Sequence, residues 1–249
     1  EHGQQSKGVG DGYLSCGQFI AGSALSMPQR GLHGTAAALR VLAGINNPAK
    51  SEQIQQLIKY IEKRNEVETN LGIISVNQLE RDENNIIKIG EVLYSLSMVK
   101  RGVAKTDTII ARFAKKLIST VINDNGWYYF TDSESDHPAL LPTAFAIMGL
   151  SHNGYTAEII KPLDYLHDQL RKYAKPGKIS DPTKFAEIVT CLYVLVFLTP
   201  QDTNDNDLEL YGEVLKKLWK SEFLHLDGDI EQNLEYDYYA QHFYVRIPW

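Results

Sequence analysis

The sequence predicts an all-α protein built from helical hairpin repeats in two layers. The first observation is a recurring glycine at the end of a polar turn, with separations of 60, 54, 51 and 51 residues, at Gly12, Gly72, Gly126, Gly177 and Gly228. The second is an alternation between one-sided amphipathic segments and segments that are apolar nearly all round. A near-constant period of this size indicates one repeated supersecondary unit that buries its apolar face against its neighbours. We expect the glycines to lie on one rim of the assembly.

Four segments carry an apolar stripe at helical spacing, opposite a face rich in Lys, Glu or Gln. We expect them to form four outer helices, because a one-sided stripe is typical of a helix on the surface of a domain. The stripes are Ile54, Leu57, Ile58 and Ile61; Ile110, Phe113, Ala114, Leu117, Ile118 and Val121; Ile159, Leu163, Leu166, Leu170 and Tyr173; and Leu208, Tyr211, Leu215 and Leu218.

Five further segments lack a polar face and are predicted to be inner helices, at residues 31–43, 86–99, 140–150, 185–198 and 236–247. A helix without a polar face is buried on several sides. The inner helices would run parallel around an axis, with the outer helices returning antiparallel. Residues 1–249 are thus expected to form a single domain, a piece of a longer protein.

Composition limits the possible partners. The net charge is −6, which argues against general nucleic-acid binding because that would need a basic face for the phosphates. No apolar run is long enough for a membrane span. The two cysteines, Cys16 and Cys191, form no CxxC or zinc pattern, which favours a reducing compartment. We therefore expect a cytoplasmic protein with no nucleic-acid partner, no membrane span and no cofactor.

Two segments resemble the repeat of the α/α-toroid superfamily. These are Gly12-Tyr13 followed by Gly34-Thr35-Ala36-Ala37-Ala38-Leu39, and Gly126-Trp127 followed by Pro142-Thr143-Ala144-Phe145-Ala146-Ile147. That superfamily includes protein prenyltransferase β-subunits, squalene and terpene cyclases, and thioester domains of complement-like proteins. The resemblance implies a two-layer α/α toroid or an incomplete (α/α) barrel. It implies nothing about chemistry, because the shared residues form a turn and a helix start.

The catalytic motifs of these families are not matched. A prenyltransferase zinc site would need Asp, Cys and His ligands, but Cys16 with His33, or Cys191 with His242, has no metal-site spacing, so a buried structural thiol is favoured. The acidic DxDD cluster of the cyclases is absent; its nearest counterpart, residues 227–231, falls on a repeat glycine. Residues 15–18 (Ser-Cys-Gly-Gln) lack the Glu of the thioester motif. We predict no metal site and identify no catalytic residue.

Two inner helices share a charged pattern, Lys88-x-x-Glu91 and Lys184-x-x-Glu187, and align without gaps. Lys and Glu three residues apart share a helix face. Because a buried charge is costly unless it is paired or faces water, both glutamates are candidates for a ligand cavity. The alternative is a repeated pair within each helix that stabilises its first turn.

Two loop features precede the predicted inner helix at 140–150. Asp132, Glu134, Asp136 and His137 form an acidic loop that would hold a cation or a basic partner, or would simply be solvated. Trp127, Tyr128 and Tyr129 directly follow a turn glycine. That position favours packing residues over a platform for a sugar.

The C-terminal segment is the most site-like part of the sequence. Tyr238, Tyr239, His242 and Arg246 place polar-tipped groups on a predicted inner helix, where they would orient a ligand or form an interface. We also expect the apolar edge formed by Phe243, Tyr244 and Trp249 to be covered by residues before Gly31, by the remainder of a longer chain, or by another subunit.

The sequence favours a non-catalytic recognition or scaffold module that binds a peptide, a protein segment or a small molecule in the central cavity. Two alternatives are open. One is a diverged enzyme of the terpene-cyclase or prenyltransferase type. The other is a glycan-active enzyme that uses Asp132, Asp136 or Glu187 as acid and base, since such enzymes need two carboxylates across a cleft.

Overall fold

The computed structural model describes residues 3–5, 14–16, 32–45, 51–70, 84–99, 106–132, 134–175, 181–198 and 204–219. Over these ranges the protein is all-α apart from a short ribbon formed by β1 (Gly3–Gln5) and β2 (Leu14–Cys16), which pair antiparallel. The helices are α1 (Leu32–Ile45), α2 (Ser51–Asn70), α3 (Ile86–Val99), α4 (Thr106–Ile118), α5 (Leu140–Ser151), α6 (Ile160–Ala174), α7 (Pro182–Tyr193) and α8 (Asp205–Trp219). A 3₁₀ turn, Ala157–Ile159, precedes α6, and a π-helical stretch, Val194–Leu198, follows α7.

The odd-numbered helices pack on one another in series: α1 contacts α3, α3 contacts α5, and α5 contacts α7. Each even-numbered helix packs against the helix that precedes it, and α6 also packs on α8. Every residue of α5 is buried. The described residues thus confirm helices at four of the five predicted inner segments and at all four predicted outer segments. The fifth inner segment, at 236–247, lies outside the described residues.

Three helices are directly preceded by an Asn or Asp whose side chain accepts a hydrogen bond from the backbone N–H three residues later. Asn85 caps α3 through the Lys88 N–H at 3.1 Å, and Asp181 caps α7 through the Lys184 N–H at 3.4 Å. Asn204 caps α8 through the Asp207 N–H at 3.1 Å. These side chains satisfy donors that the first helical turn leaves without an intrahelical partner.

The turn before α5 explains why glycine stands at position 126. Gly126 has a φ of +151°, and a Cβ there would lie 2.5 Å from Thr143 Oγ1. Thr143 Oγ1 accepts a bond from the Trp127 N–H at 3.0 Å, and the buried Trp127 indole donates to the carbonyl of Leu117 at 2.8 Å. The prediction that Trp127 is a packing residue is confirmed. Gly12, Gly72, Gly177 and Gly228 lie outside the described residues. That the five repeat glycines lie on one rim of the assembly therefore stays a prediction.

Two glycines let α3 and α5 approach each other closely. A Cβ at Gly90 would collide with the backbone carbonyl of Phe145, and one at Gly149 would lie 2.8 Å from the carbonyl oxygen of Gly90. Neither position has room for a side chain. This contact sets the distance between α3 and α5.

The predicted stripe of α8 is partly wrong. Tyr211 and Leu218 are buried, but Leu208 and Leu215 are 52% and 49% exposed. The helix is turned so that Asp207 is buried in their place, along with Leu210 and Val214. The physical reason is that Leu210 and Val214 complete an apolar stripe on this side of α8, and the same orientation brings Asp207 into a polar contact with α6.

Candidate functional site

A cluster of polar and aromatic side chains gathers where α7 begins. Glu187 Oε2 accepts from the Lys184 ammonium at 2.8 Å, and Glu187 Oε1 accepts from the Tyr129 hydroxyl at 2.8 Å. The ammonium also lies over the Tyr173 ring, 5.7 Å from its centroid. We call Tyr129, Tyr173, Lys184 and Glu187 the Tyr129 cluster. All four residues are partly exposed, and the side chains of Lys184 and Glu187 are 38% and 14% exposed.

The members come from three places in the chain, and backbone contacts fix the positions of the two tyrosines. Tyr129 lies on the loop between α4 and α5, and its carbonyl accepts from the N–H of Ile86, the first residue of α3. Tyr173 lies in the last turn of α6, and its carbonyl accepts from Lys217 on α8 at 2.6 Å. Lys184 and Glu187 occupy the first turns of α7. The loop therefore connects the start of α3 to the start of α7.

The electrostatics of the cluster keep its charges paired. Burial would lower the pKa of Lys184, but the hydrogen bond and negative charge of Glu187 outweigh burial and raise it. Burial also raises the pKa of Tyr165, whose hydroxyl donates to the carbonyl of Pro138 at 2.7 Å close to the cluster. Lys184 is thus held as an ammonium beside the Glu187 carboxylate. A paired carboxylate of this kind suits orientation of a ligand better than proton transfer.

The other predicted charged pair has different surroundings. Glu91 is buried at 2% exposure, whereas Lys88 is half-buried. The intrahelical interpretation holds for Lys184 and Glu187, which form the predicted pair. That both glutamates face a ligand cavity stays a prediction.

The acidic loop is exposed to solvent. The side chains of Asp132, Glu134, Asp136 and His137 are all exposed. Ser135 orders the turn by donating to the His137 carbonyl at 3.0 Å. The loop begins three residues after Tyr129 in the sequence, and its three carboxylates make this part of the chain acidic. It does not itself form an enclosed site.

The remaining predicted site residues, Tyr238, Tyr239, His242 and Arg246, lie outside the described residues. The same holds for the edge residues Phe243, Tyr244 and Trp249. Cys191 is described and is a free, buried thiol, as the structural interpretation predicted. Burial raises its pKa far above the ordinary value for a thiol.

A buried network of polar side chains between α6 and α8 was not predicted from the sequence. His167 Nδ1 lies 3.3 Å from Asp207 Oδ1, and His167 Nε2 lies 2.7 Å from the Tyr211 hydroxyl. All three residues are buried. A neutral imidazole that donates from Nδ1 and accepts at Nε2 satisfies every distance. The sequence signal was available, because His167 sits beside Leu163, Leu166 and Leu170 on an apolar face.

Asp207 has a second task at the start of α8. Its Oδ2 accepts from the Asn204 N–H at 3.2 Å, while Asn204 Oδ1 accepts from the Asp207 N–H. This reciprocal arrangement is a capping box. The order Asp–His–Tyr resembles a nucleophile with its base, but burial raises the pKa of Tyr211 and excludes a substrate from it. The contacts among Asp207, His167 and Tyr211 therefore link α6 to α8.

The described residues contain no group of three His, Cys, Asp or Glu side chains arranged to hold a metal ion. Among the helices over the same ranges, none combines the length and the apolarity that crossing a membrane requires. Comparison with protein-family models, curated proteins and solved structures found no match to this chain.

Proposed function

We propose that this chain is a non-catalytic recognition module of helical hairpin repeats, arranged as an α/α toroid or an incomplete ring, within a larger cytoplasmic protein. The Tyr129 cluster carries the proposal. Its half-buried charged pair and aromatic rings come together from the loop before α5, the end of α6 and the start of α7. Such convergent polar groups beside aromatic surface are what a site uses to orient a ligand.

A peptide or protein segment with positive charge is the ligand that the surroundings favour. The exposed Asp132, Glu134 and Asp136 follow Tyr129 in the chain, and the whole chain carries a net charge of −6. Complementary charge speeds encounter and suppresses partners of the wrong sign. The rings of Tyr128 and Tyr129, with centroids 5.2 Å apart, offer faces for a Lys or Arg side chain.

Recognition is favoured over the enzyme alternatives by the state of Glu187. Both of its oxygens already accept a hydrogen bond, one from a cation and one from a phenol. A general acid or base needs a pKa near the working pH and a free position for the proton. Asp132 and Asp136 are exposed to solvent on the loop that precedes α5.

The test is selection from a phage-displayed library of random peptides on the immobilised chain. We expect enrichment of basic peptides that bind the Glu187→Gln variant at least about tenfold more weakly, since one charge-assisted contact is worth that much. Asp168→Asn is the matched control, because Asp168 also pairs with a cation three residues away, Arg171, but on the exposed face of α6. Absence of enrichment, or equal binding by folded Glu187→Gln, would remove the support for this site.

A further inference from the structure

The sequence contains two Asn-Gly dipeptides, Asn125-Gly126 and Asn153-Gly154, and their surroundings in the structure are opposite. In such a dipeptide the backbone nitrogen of the glycine can attack the side-chain amide of the asparagine, because glycine has no Cβ to hinder the approach. In a folded protein the attack requires that the carboxamide can turn and that the glycine N–H is not held by an acceptor. The hydrogen bonds of each dipeptide decide both conditions.

Asn125 lies at the end of an exposed turn. Asn123 and Asp124 have φ angles of +47° and +61°, and the Asn125 N–H donates to the Ile122 carbonyl at 2.9 Å, which defines a type I′ β-turn. Asn125 is exposed, and its side chain makes no hydrogen bond among the described residues. Over the same ranges the Gly126 N–H donates to no acceptor. Neither the carboxamide nor the next backbone nitrogen is therefore held by a hydrogen bond.

Asn153-Gly154 is held by the hydrogen bonds that the other dipeptide lacks. Asn153 is 9% exposed, and its Nδ2 donates to the carbonyls of Leu93 at 2.9 Å and Gly149 at 2.8 Å. The Gly154 N–H donates to the Ser151 carbonyl at 3.0 Å. Turning the Asn153 carboxamide toward the Gly154 nitrogen would break both of its bonds and leave buried carbonyls without a donor. The fold therefore opposes the attack at this dipeptide.

We propose that Asn125 is a site of spontaneous deamidation, whereas Asn153 is protected from it by the fold. The Gly126 nitrogen loses its proton to hydroxide and attacks Cγ of Asn125. The new N–Cγ bond closes a succinimide ring, and the Cγ–Nδ2 bond breaks as ammonia leaves with a proton from water. Water then opens the ring at either carbonyl, which gives an aspartate or an isoaspartate. Asparagine and water thus become a carboxylic acid and ammonia, with no change of oxidation state.

Deamidation changes both the charge and the length of the turn. Either product adds a negative charge to a turn that already carries Asp124. The isoaspartate also lengthens the main chain by a carbon atom before Gly126, because the chain then runs through the side chain of residue 125. Gly126 packs tightly on Thr143, whose Oγ1 accepts from the Trp127 N–H at 3.0 Å. We therefore expect the isoaspartate to shift Gly126 and to loosen the loop between α4 and α5.

The test is peptide mapping of the full chain after incubation for days at about pH 8, where more of the backbone nitrogen is deprotonated than at neutral pH. Chymotrypsin, used in mild acid, separates the two sites because Trp127 and Tyr128 stand between them. We expect the Asn125 peptide to gain about 1 Da and to split into two chromatographic species, the aspartate and the isoaspartate. The Asn153 peptide should change at least about tenfold more slowly, because its carboxamide reacts only after local opening. The measurement does not involve peptide binding, so it is independent of the proposed function.

Guanidinium-unfolded protein provides the reference, since both dipeptides lose the protection of the fold there and should react at similar rates. Asn125→Gln should abolish the change in its own peptide, because a glutamine side chain must close a larger ring and reacts far more slowly. Equal rates at Asn125 and Asn153 in the folded chain would overturn the protection by the fold. An unmodified Asn125 in the folded chain, together with reaction of the unfolded chain, would overturn the proposed site.

Thermal unfolding tests the effect on the loop. The incubated protein should unfold at a lower temperature than fresh Asn125→Asp, which adds the same charge without lengthening the main chain. Incubated Asn125→Gln controls for damage elsewhere and should unfold at the same temperature as fresh Asn125→Gln. Equal unfolding temperatures of the incubated protein and Asn125→Asp would overturn the proposed effect of the isoaspartate on the loop.

Discussion

Tyr129 donates its hydroxyl to Glu187 across 58 residues of sequence, and this bond joins the loop before α5 to α7. We predict that Tyr129→Phe lowers the free energy of unfolding by about 1–2 kcal/mol, because it removes a hydrogen bond to a charged acceptor that is largely buried. Chemical denaturation followed by circular dichroism measures the change.

Tyr128→Phe is the matched control for that experiment. Tyr128 lies next in the chain and is also half-buried, but its hydroxyl makes no hydrogen bond within the described residues. Its loss should change the unfolding free energy by less than about 0.5 kcal/mol. Equal effects of the two substitutions would mean that ring packing, not the bond to Glu187, explains the role of Tyr129.

The contact between α3 and α5 predicts opposite outcomes for two glycines. Gly90→Ala should destabilise the fold by about 1–3 kcal/mol, because the new methyl group collides with the backbone carbonyl of Phe145, which cannot move alone. Gly212→Ala, in α8, meets nothing within 4 Å and should stabilise by about 0.5–1 kcal/mol through helix propensity. Thermal unfolding of both variants checks the pair, and a stabilised Gly90→Ala would contradict the described helix spacing.

The buried His167 predicts a loss of stability in acid. Burial is the main effect on its pKa and lowers it from the ordinary 6.5, although the negative charge of Asp207 opposes the shift; Tyr211, Asp164, Asp168 and Arg171 are the other charged or titratable groups near it. The unfolded chain therefore takes up a proton at a higher pH than the folded chain. Stability is fully present above about pH 6.5 and falls as the pH drops below it, by at most about 1.4 kcal/mol per pH unit.

Urea denaturation between about pH 7.5 and about pH 5.5, values set as about one unit either side of the ordinary histidine pKa, measures this dependence. His167→Gln should flatten the profile over that range, whereas His137→Gln, in the exposed acidic loop, should leave it unchanged. An unaltered slope in His167→Gln would mean that other groups produce the pH dependence.

The buried thiol predicts protection from reagents. With Cys16→Ser as background, Cys191 should react with an aromatic disulfide reagent only as fast as the chain opens, since burial both blocks access and raises its pKa. Fast reaction of the folded chain would contradict its burial. Guanidinium-unfolded protein provides the reference rate.

Local patterns predicted the helices well, and contacts between distant residues account for what they missed. The segment at 86–99 matches α3 at both ends, because Asn85 caps it and apolar residues recur along its whole length. The buried face of α8 was predicted wrongly because Leu208 and Leu215 are apolar, whereas Asp207 is charged. Burial of that carboxylate is favourable because the Asn204 N–H and His167, on another helix, contact its two oxygens.

The candidate site was predictable only in part. The pairing of Lys184 with Glu187 follows from their spacing on one helix. The bond from Tyr129, and the contact of the Arg40 guanidinium with the Tyr94 ring, depend on how separate helices approach each other. Neither contact can be predicted from the local periodicity of the sequence. Tyr129 follows a turn, and Arg40 resembles an ordinary polar residue of a helix.

The Asp207 carboxylate makes two contacts: Oδ2 accepts from the Asn204 N–H at the start of α8, and Oδ1 contacts His167 on α6. Neither helix can open without removing a bond from the other. In hydrogen-exchange experiments the slowest amides of α6 and α8 should therefore share one opening free energy, and behave as a single cooperative unit. In Asp207→Ala the two sets of amides would acquire separate rates, with those of α8 exchanging first.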